Sequence, residues 1–523
     1  MAGRKGNYGR GAVLVRGVNW IGDAVMTIPA LRAVRRSMPD ERFSLLVKPW
    51  VSPLFEKDPD VDEIIDYSSE FASVAGKFRL AGTLRQKRFS LAVLFQNAFD
   101  AALLAFLAGI PRRIGYRRDG RGFLLTDPIA FDAHAKNLHH VDYYLELVKR
   151  AGFHARERRP WIFLSLEERL QARSLLGGLR RPVIAMNPGA TFGSSKRWLP
   201  ERFGKVAGRI VQELGGSVVL LGGPRETGIA GEILRSAAIL SDDHHAVLNL
   251  AGRTSLRELS GVISEADLLL TNDSGPMHIG YAVGTPVAAI FGSTSPAHTG
   301  PVGAADIVIR KSVPCAPCFD RECRRNQLAC MDLITADEVF EVLRKSVRTR
   351  KAVFFDRDGT LCRDADYLSR REDLEIFPSV AGLTLLKDAG FGLIGVTNQS
   401  GIARGLVRED FAREVNRIFI SRYGFDDFYY CPHHPSEHCS CRKPEPGMLV
   451  RARNEHAVDL RRSFVVGDKD EDMVLARAVG ARGILVRTGK ARGSVHADAV
   501  ADGLEDAVKI ILSMDREKAD AER

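Results

Sequence analysis

No stretch of this 523-residue chain approaches the about 18 consecutive apolar residues of a membrane-crossing helix. Residues 1–10 are short, basic and glycine-rich, with no apolar centre or cleavage site, so a secretory leader is not expected. There is no low-complexity tract, no Walker-type lysine loop and no recognisable nucleic-acid motif. Cysteine is scarce: of eight, seven fall in two clusters and Cys362 stands alone. Clustering without an export signal points to metal ligation or reduced thiols rather than disulfides. The expectation is a globular cytoplasmic enzyme. With 45% apolar residues and this length, it should hold about three domains.

Charge is uneven. Residues 351–523 carry 27 Lys and Arg against 29 Asp and Glu, or −2; residues 1–350 carry 48 against 36, or +12. The densest positive group is Arg112, Arg113, Arg117, Arg118 and Arg121. Such a surface suits a phosphorylated sugar or an anionic lipid headgroup. Nucleic acid is not expected as a partner.

The most informative segment is Phe354-Phe355-Asp356-Arg357-Asp358-Gly359-Thr360. Residues i and i+2 of a strand share a face, so both carboxylates point into one crevice at the carboxyl edge of a parallel sheet. One can attack phosphorus while the other handles the leaving-group proton. Three further strand tips follow. Val396-Thr397-Asn398-Gln399 offers a hydroxyl and amides, and Arg442-Lys443 offers cations. Gly467-Asp468-Lys469 with Asp472 offers carboxylates that, with Asp356, suit Mg²⁺. Between them, Cys431-Pro432-His433 and Cys439-Ser440-Cys441 supply four ligands for a closed tetrahedral zinc site, with His434 and His438 as alternatives to His433.

Residues 350–490 resemble the haloacid dehalogenase phosphatases. The segments 397–405 and 431–435 are similar to the D-glycero-D-manno-heptose 1,7-bisphosphate 7-phosphatases; the histidinol-phosphate phosphatases share the zinc loop. The resemblance implies that Asp356 becomes phosphorylated and Asp358 is the general acid/base. Thr397, Asn398, Arg442 and Lys443 bind substrate, and Asp356, Asp358 and Asp468 hold Mg²⁺.

In the first 345 residues, strand-like runs at 12–16, 43–47, 63–66 and 91–95 alternate with helical segments. A second cycle runs through 182–186, 217–221, 246–250, 267–271 and 287–291. This predicts an α/β protein with two Rossmann-like halves around a cleft. Three strand tips carry phosphate-binding features: Asn187-Pro188-Gly189-Ala190-Thr191 with Lys196, Gly222-Gly223-Pro224-Arg225-Glu226, and Asp273-Ser274-Gly275-Pro276 opening a helix. Asp23, in the loop after the first strand, can be a base or a helix N-cap.

The motifs Asn19-Trp20-Ile21-Gly22-Asp23, 187–200 and 271–278 resemble the ADP-heptose:lipopolysaccharide heptosyltransferases, of the heptosyltransferase II type. The resemblance implies a GT-B fold and inverting, metal-independent transfer. Asp23 is then the general base; Thr191 and Lys196 bind donor phosphates, Glu226 the ribose, and Asp273 the heptose, with Ser274 and Gly275 beside it. A further cluster, Cys315, Cys318, Cys323 and Cys330, is open to a metal or to free thiols.

The expected organisation is a basic N-terminus at 1–11, GT-B halves at 12–165 and 166–345, a linker at 346–350, a Rossmannoid phosphatase at 351–495, and a C-terminal helix or tail at 496–523, frayed beyond 515. Both resemblances point to one pathway. The expected ligands are ADP-heptose, a lipopolysaccharide inner-core acceptor and heptose 1,7-bisphosphate, with peripheral contact at the inner membrane. Two alternatives stay open: a phosphatase acting on histidinol phosphate or another small phosphate, or a silent transferase unit serving as scaffold.

Overall fold

The computed structural model describes residues 11–155, 157–240, 243–303, 305–325, 327–347 and 350–521. The basic segment 1–10, residues 348–349 of the expected linker and residues 522–523 lie outside them. The chain divides into two compact units, Met1–Val347 and Arg348–Arg523.

The first unit contains two parallel sheets. One consists of β1 (Ala12–Arg16), β2 (Phe43–Val47), β3 (Glu63–Asp66), β4 (Phe89–Leu94), β5 (Arg112–Tyr116) and β6 (Asp127–Ile129), in the order β3-β2-β1-β4-β5-β6. The other consists of β7 (Val183–Asn187), β8 (Ser217–Leu220), β9 (Val247–Asn249), β10 (Leu268–Asn272), β11 (Val287–Phe291) and β12 (Ile307–Arg310), in the order β12-β11-β10-β7-β8-β9. The second unit has one parallel sheet of β13 (Ala352–Phe355), β14 (Gly392–Asn398), β15 (Asp427–Cys431), β16 (Phe464–Gly467), β17 (Arg482–Val486) and β18 (Ala499–Ala501), in the order β15-β14-β13-β16-β17-β18.

All three sheets share one doubly wound order, in which the winding reverses between the first and fourth strands. Loops leaving those two strands part, and the crevice between them is where such sheets bind ligands. The reversal points are β1/β4, β7/β10 and β13/β16. The central strands read as short apolar runs because helices cover both faces: every residue of β7, β10, β11 and β13 is buried.

The helices that place functional side chains are α1 (Ile21–Ser37), α2 (His140–Arg150), α3 (Gly275–Val283), α4 (Asp470–Val479) and α5 (Leu504–Ala521). Inside the first unit, a continuous apolar core runs from Val13, Met26 and Ile28 to Met277 and Ile279, joining the two sheets through α1 and α3. Arg32 of α1 is buried between Asp58 and Asp60, at 3.7 and 3.3 Å, and donates to the Trp161 carbonyl at 2.6 Å. That contact fixes α1 to the chain crossing towards the second sheet.

Three expectations change. The arginine group is not one free positive surface: Arg117 is exposed, Arg112, Arg113 and Arg118 are half-buried, and Arg121 is internal. Arg121 is fully buried and donates to the carbonyls of Tyr116 and Gln96 and to Asn97; Arg112 pairs with Asp127 at 3.0 Å, and Arg113 donates to the Leu124 carbonyl at 2.7 Å. Arg112 and Arg113 open strand β5, whose charge hid it from a hydrophobicity reading. The phosphatase sheet also extends past residue 495: β18 is its sixth strand, and Ala507 and Ile511 of α5 are buried in its core. The helix runs on to Ala521, with Asp515 paired to Lys351 at 2.6 Å, so the expected fraying from 515 is not what forms.

Candidate active sites

In the second unit, Asp356 leaves β13 at the reversal point, its backbone N–H bonded to the Val466 carbonyl of β16 at 2.9 Å. Gly359, at φ +88°, turns the chain so tightly that a Cβ there would meet Asp468 Oδ2 at 2.5 Å. The loop from β13 is thereby pressed onto the loop from β16. Lys443 sits between them, buried, with its ammonium 2.7 Å from Asp356 Oδ1 and 2.7 Å from Asp472 Oδ1. A buried lysine held by two carboxylates keeps its proton, and its pKa is raised: burial opposes this, but Asp356 and Asp472 outweigh it. For Asp356 the balance also favours the charge. Burial works against it, and Lys443 and Lys469 bring its pKa below the usual carboxylate range.

Asp358 is held differently. Gln399 Nε2 donates to its Oδ2 at 2.7 Å, Thr397 Oγ1 at 3.3 Å, and the buried Arg357 guanidinium lies 3.1 Å away. Its carboxylate is occupied by these donors and does not join the metal-type cluster. That cluster is Asp356, Asp468 and Asp472, whose oxygens lie within 4.8 Å of one another. Of the expected set, Asp356 and Asp468 stand in this group together with Asp472, while Asp358 stands outside it. The donors suit a hard divalent cation: the buried Asp468 Oδ1 accepts no hydrogen bond, and three carboxylates converge on one point.

Asn398 also differs from expectation. Its side chain clamps the Lys443 backbone, accepting from the Lys443 N–H at 3.0 Å and donating to the Lys443 carbonyl at 3.3 Å. It holds the backbone that carries the lysine. Arg442 Nη1 is buried with no hydrogen-bond partner.

The loop that returns Lys443 starts where β15 ends, with Cys431 in register with Asn398. Cys431 Sγ lies 3.4 Å from Cys439 Sγ, Cys441 Sγ 3.5 Å from Cys439 Sγ, and His433 Nδ1 3.2 Å from Cys441 Sγ. Four donors at such separations suit a single tetrahedral ion with bonds of about 2.0–2.3 Å. His433 is the histidine of this group; His434 instead bonds Ser436 Oγ at 2.7 Å. Among the described residues no three of Cys315, Cys318, Cys323 and Cys330 form such a group, although Cys330 is pushed up by burial and by the other three thiols nearby.

In the first unit the donor-side loops are stitched together. Asn272 at the end of β10 donates to the Pro188 carbonyl at 2.6 Å and accepts from the Trp198 N–H at 3.1 Å; Asn187 at the end of β7 donates to Ser274 Oγ at 3.2 Å. Lys196 Nζ is 2.6 Å from Asp273 Oδ2, which also accepts from Thr294 Oγ1 at 2.6 Å. Lys196 is thus a positioned cation and not a solvated one. Gly275 is the first residue of α3, with Ser274 at its N-cap. Glu226 accepts from the Gly223 N–H at 2.8 Å and reaches the β7 tip, where a Cβ on Gly189 would meet its Oε1 at 1.6 Å. Thr191 is exposed beside them.

Asp23 lies inside α1, in its first turn, and Trp20 holds the N-cap position, so the N-cap reading of Asp23 does not apply. Gly22 lets α1 approach α3: a Cβ there would meet His278 Cδ2 at 2.7 Å. His278 is buried against Tyr281, at 2.8 Å, and burial lowers its pKa to about 4, so the ring is neutral. Asp23, a third exposed, has His140 Nδ1 at 3.5 Å.

Sequence reasoning gave no individual role to Gln399, Arg357 or His140. Gln399 follows the motif residues Thr397 and Asn398 directly, and Arg357 stands next to Asp358, which were the available signals; the contact of His140 with Asp23 depends on packing between distant segments.

Comparison with known proteins agrees with this division. Residues 77–329 match the model of glycosyltransferase family 9 (heptosyltransferase), and residues 440–507 the HAD-hydrolase-like model. Lipopolysaccharide heptosyltransferase 2 of Salmonella typhimurium is 32% identical over 308 residues, 57% of this chain and 87% of the relative. D-glycero-beta-D-manno-heptose-1,7-bisphosphate 7-phosphatase of Yersinia pestis is 42% identical over 178 residues, 31% of this chain and 94% of the relative. The solved structure of Escherichia coli ADP-heptose lps heptosyltransferase II is 29% identical with a TM-score of 0.56, covering 64% of this chain and 98% of that one. The chain therefore belongs to the glycosyltransferase family 9 heptosyltransferases through its first unit and to the HAD-like heptose-bisphosphate phosphatases through its second, as a fusion of the two.

Proposed function

We propose that the chain carries two activities of heptose metabolism. The first unit transfers heptose from ADP-heptose to the lipopolysaccharide inner core, and the second removes the 7-phosphate of D-glycero-D-manno-heptose 1,7-bisphosphate. The observation that carries this reading is that one chain joins relatives of two enzymes named for the same sugar.

In the phosphatase, Asp356 attacks the phosphorus, and the bond from phosphorus to the C7 oxygen breaks. Asp358 supplies the proton to that oxygen, then takes one from the water that hydrolyses the aspartyl-phosphate. Gln399 and Thr397 aim Asp358; Lys443 offsets the charge of the transferring group. Mg²⁺ at Asp356, Asp468 and Asp472 supplies charge neutralisation, and zinc at Cys431, His433, Cys439 and Cys441 supports the loop that presents Lys443. In the transferase, Asp23 takes the acceptor hydroxyl proton as that oxygen bonds the anomeric carbon and the diphosphate departs. Lys196 and the N-terminus of α3 hold the diphosphate, Glu226 the ribose, and Asp273, released from Lys196, the heptose. Among the described residues no helix is long and apolar enough to cross a membrane; a cytoplasmic enzyme meeting its acceptor peripherally at the inner membrane accords with that.

The test is to assay one purified preparation for both phosphate release and heptosyl transfer. Loss of either activity in the parent chain, with the other intact, contradicts the bifunctional reading.

A pH dependence follows from the carboxylate cluster. Asp468 is raised to about 6 by burial and by Asp356. Asp472 is raised to about 7 by burial, with Asp356 and Asp468 adding and Lys443 opposing. Both hold protons as pH falls through this range, and a cation needs them ionised. Mg²⁺ binding is expected to weaken from about pH 8 to about pH 5.5, with protons released on binding. Titration calorimetry in buffers of different ionisation enthalpy measures both; a pH-independent affinity without proton release contradicts it.

A further inference from the structure

The cleft of the first unit contains a histidine bridge that the transfer chemistry above does not use. His139 and His140 stand at the start of α2, on the side of the first sheet. His139 Nδ1 accepts from the Val141 N–H at 3.2 Å, so its Nε2 carries the hydrogen, and that nitrogen donates to the Gly300 carbonyl at 2.9 Å. Gly300 follows the helical turn Pro296–Thr299 on the side of the second sheet. One residue on, the His140 ring lies 6.4 Å from that of His298 at an interplanar angle of 13°, and His298 lies 6.1 Å from Phe319 at 25°. Two consecutive side chains thus cross from the acceptor half to the donor half.

His140 Nδ1 also faces Asp23 Oδ1, at 3.5 Å. We propose that His140 is a positioning residue for the base: its ring N–H holds one oxygen of Asp23 and leaves the other aimed at the acceptor hydroxyl. The stack with His298 sets the ring plane, so Asp23 is aimed only when the two halves meet. A base must stand within about 2.6–3.2 Å of the atom whose proton it takes, and a carboxylate free to rotate at a helix end, a third exposed, meets that condition only part of the time. The ionisable groups around His140 are Asp23 on α1, His139 and Tyr143 on its own helix, His278 on α3 and His298 on the facing turn. Asp23 is the carboxylate that the His140 ring faces at 3.5 Å; Asp142, in the first turn of the same helix, and Arg158 lie by His139.

The inference rests on the reading of Asp23 as base, and the experiment separates the two. Transfer is measured against pH in the full chain for the parent, Asp23→Asn, His140→Ala, His140→Asn, His298→Ala and His140→Ala/His298→Ala, with thermal melting for each. The expected result is that His140→Ala lowers kcat by about 10- to 100-fold, with KM for ADP-heptose within about 3-fold. His140→Asn, which keeps an N–H near the Nδ1 position, should recover most of kcat. The double variant should be no worse than His140→Ala, because His298 acts through His140. Parent-like kcat in His140→Ala, with transfer abolished in Asp23→Asn, overturns this inference and leaves the base reading intact. Normal transfer by Asp23→Asn overturns both. Equal losses in His140→Ala and His140→Asn, with KM rising in proportion, mean a structural role only and also overturn the inference.

Discussion

Asp356→Asn is expected to abolish phosphate release from a heptose bisphosphate, a loss on the order of 10⁴-fold or more, while heptosyl transfer by the same preparation continues at the parent rate. The amide keeps the shape of the carboxylate and removes the nucleophile. Asp356 is one of three buried carboxylates within 4.8 Å of one another, and Lys443 still retains Asp472 at 2.7 Å. Neutralising Asp356 takes one of two carboxylates from the buried Lys443, so a lower melting temperature accompanies the loss of turnover. A colorimetric phosphate assay beside a transfer assay checks the result. Near-normal phosphate release would exclude the aspartyl-phosphate route. A loss of transfer in parallel would show that Asp356 acts outside its own unit.

Asp23→Asn is expected to have the mirror effect. Removing a general base costs on the order of 10²–10⁴-fold in rate, and phosphate release should be unchanged. The substitution is structurally mild. Asp23 is a third exposed, makes no helix-capping bond, and faces His140 at 3.5 Å. An asparagine there still packs against the start of α1 but cannot take a proton. ADP binding, measured by calorimetry, should persist, because Lys196, Asp273 and Glu226 lie on the opposite half. A variant that binds ADP and does not transfer separates the base from the donor site. A variant that transfers normally would move the proton to another group.

How much of this was legible beforehand differs by level. The central strands could be read because both their faces are covered: runs such as Val287-Ala288-Ala289-Ile290-Phe291 have no polar side to interrupt them. β5 and β18 could not. β5 begins with two arginines, and β18 is three residues long. Their places depend on hydrogen bonds to a neighbouring strand, not on their own hydrophobicity. The charge count had the same weakness: it counted Arg121 as part of a positive surface, whereas the fold buries it against backbone carbonyls.

Motif residues at strand tips were legible because the chemistry dictates both type and spacing. Asp356, Lys443 and Asp468 converge, as do the four zinc-type donors. Reading which carboxylate joins which cluster requires the partners. Asp358 leaves the metal group because Arg357 and Gln399 claim it, and Asp472 enters because one turn of α4 brings it back to Lys443. Asn398 was read as facing substrate, yet it clamps the Lys443 backbone across 45 residues of chain. Side-chain roles set by contacts that long are invisible to spacing.

The measurement that bears most directly on the central claim is phosphate release by the full chain with Mg²⁺ across three substrates: the two anomers of D-glycero-D-manno-heptose 1,7-bisphosphate and histidinol phosphate, with Asp356→Asn as the blank. The account predicts strong preference for a heptose bisphosphate and no release by the variant. Preference for histidinol phosphate, or release that survives Asp356→Asn, would contradict it and break the link between the two units.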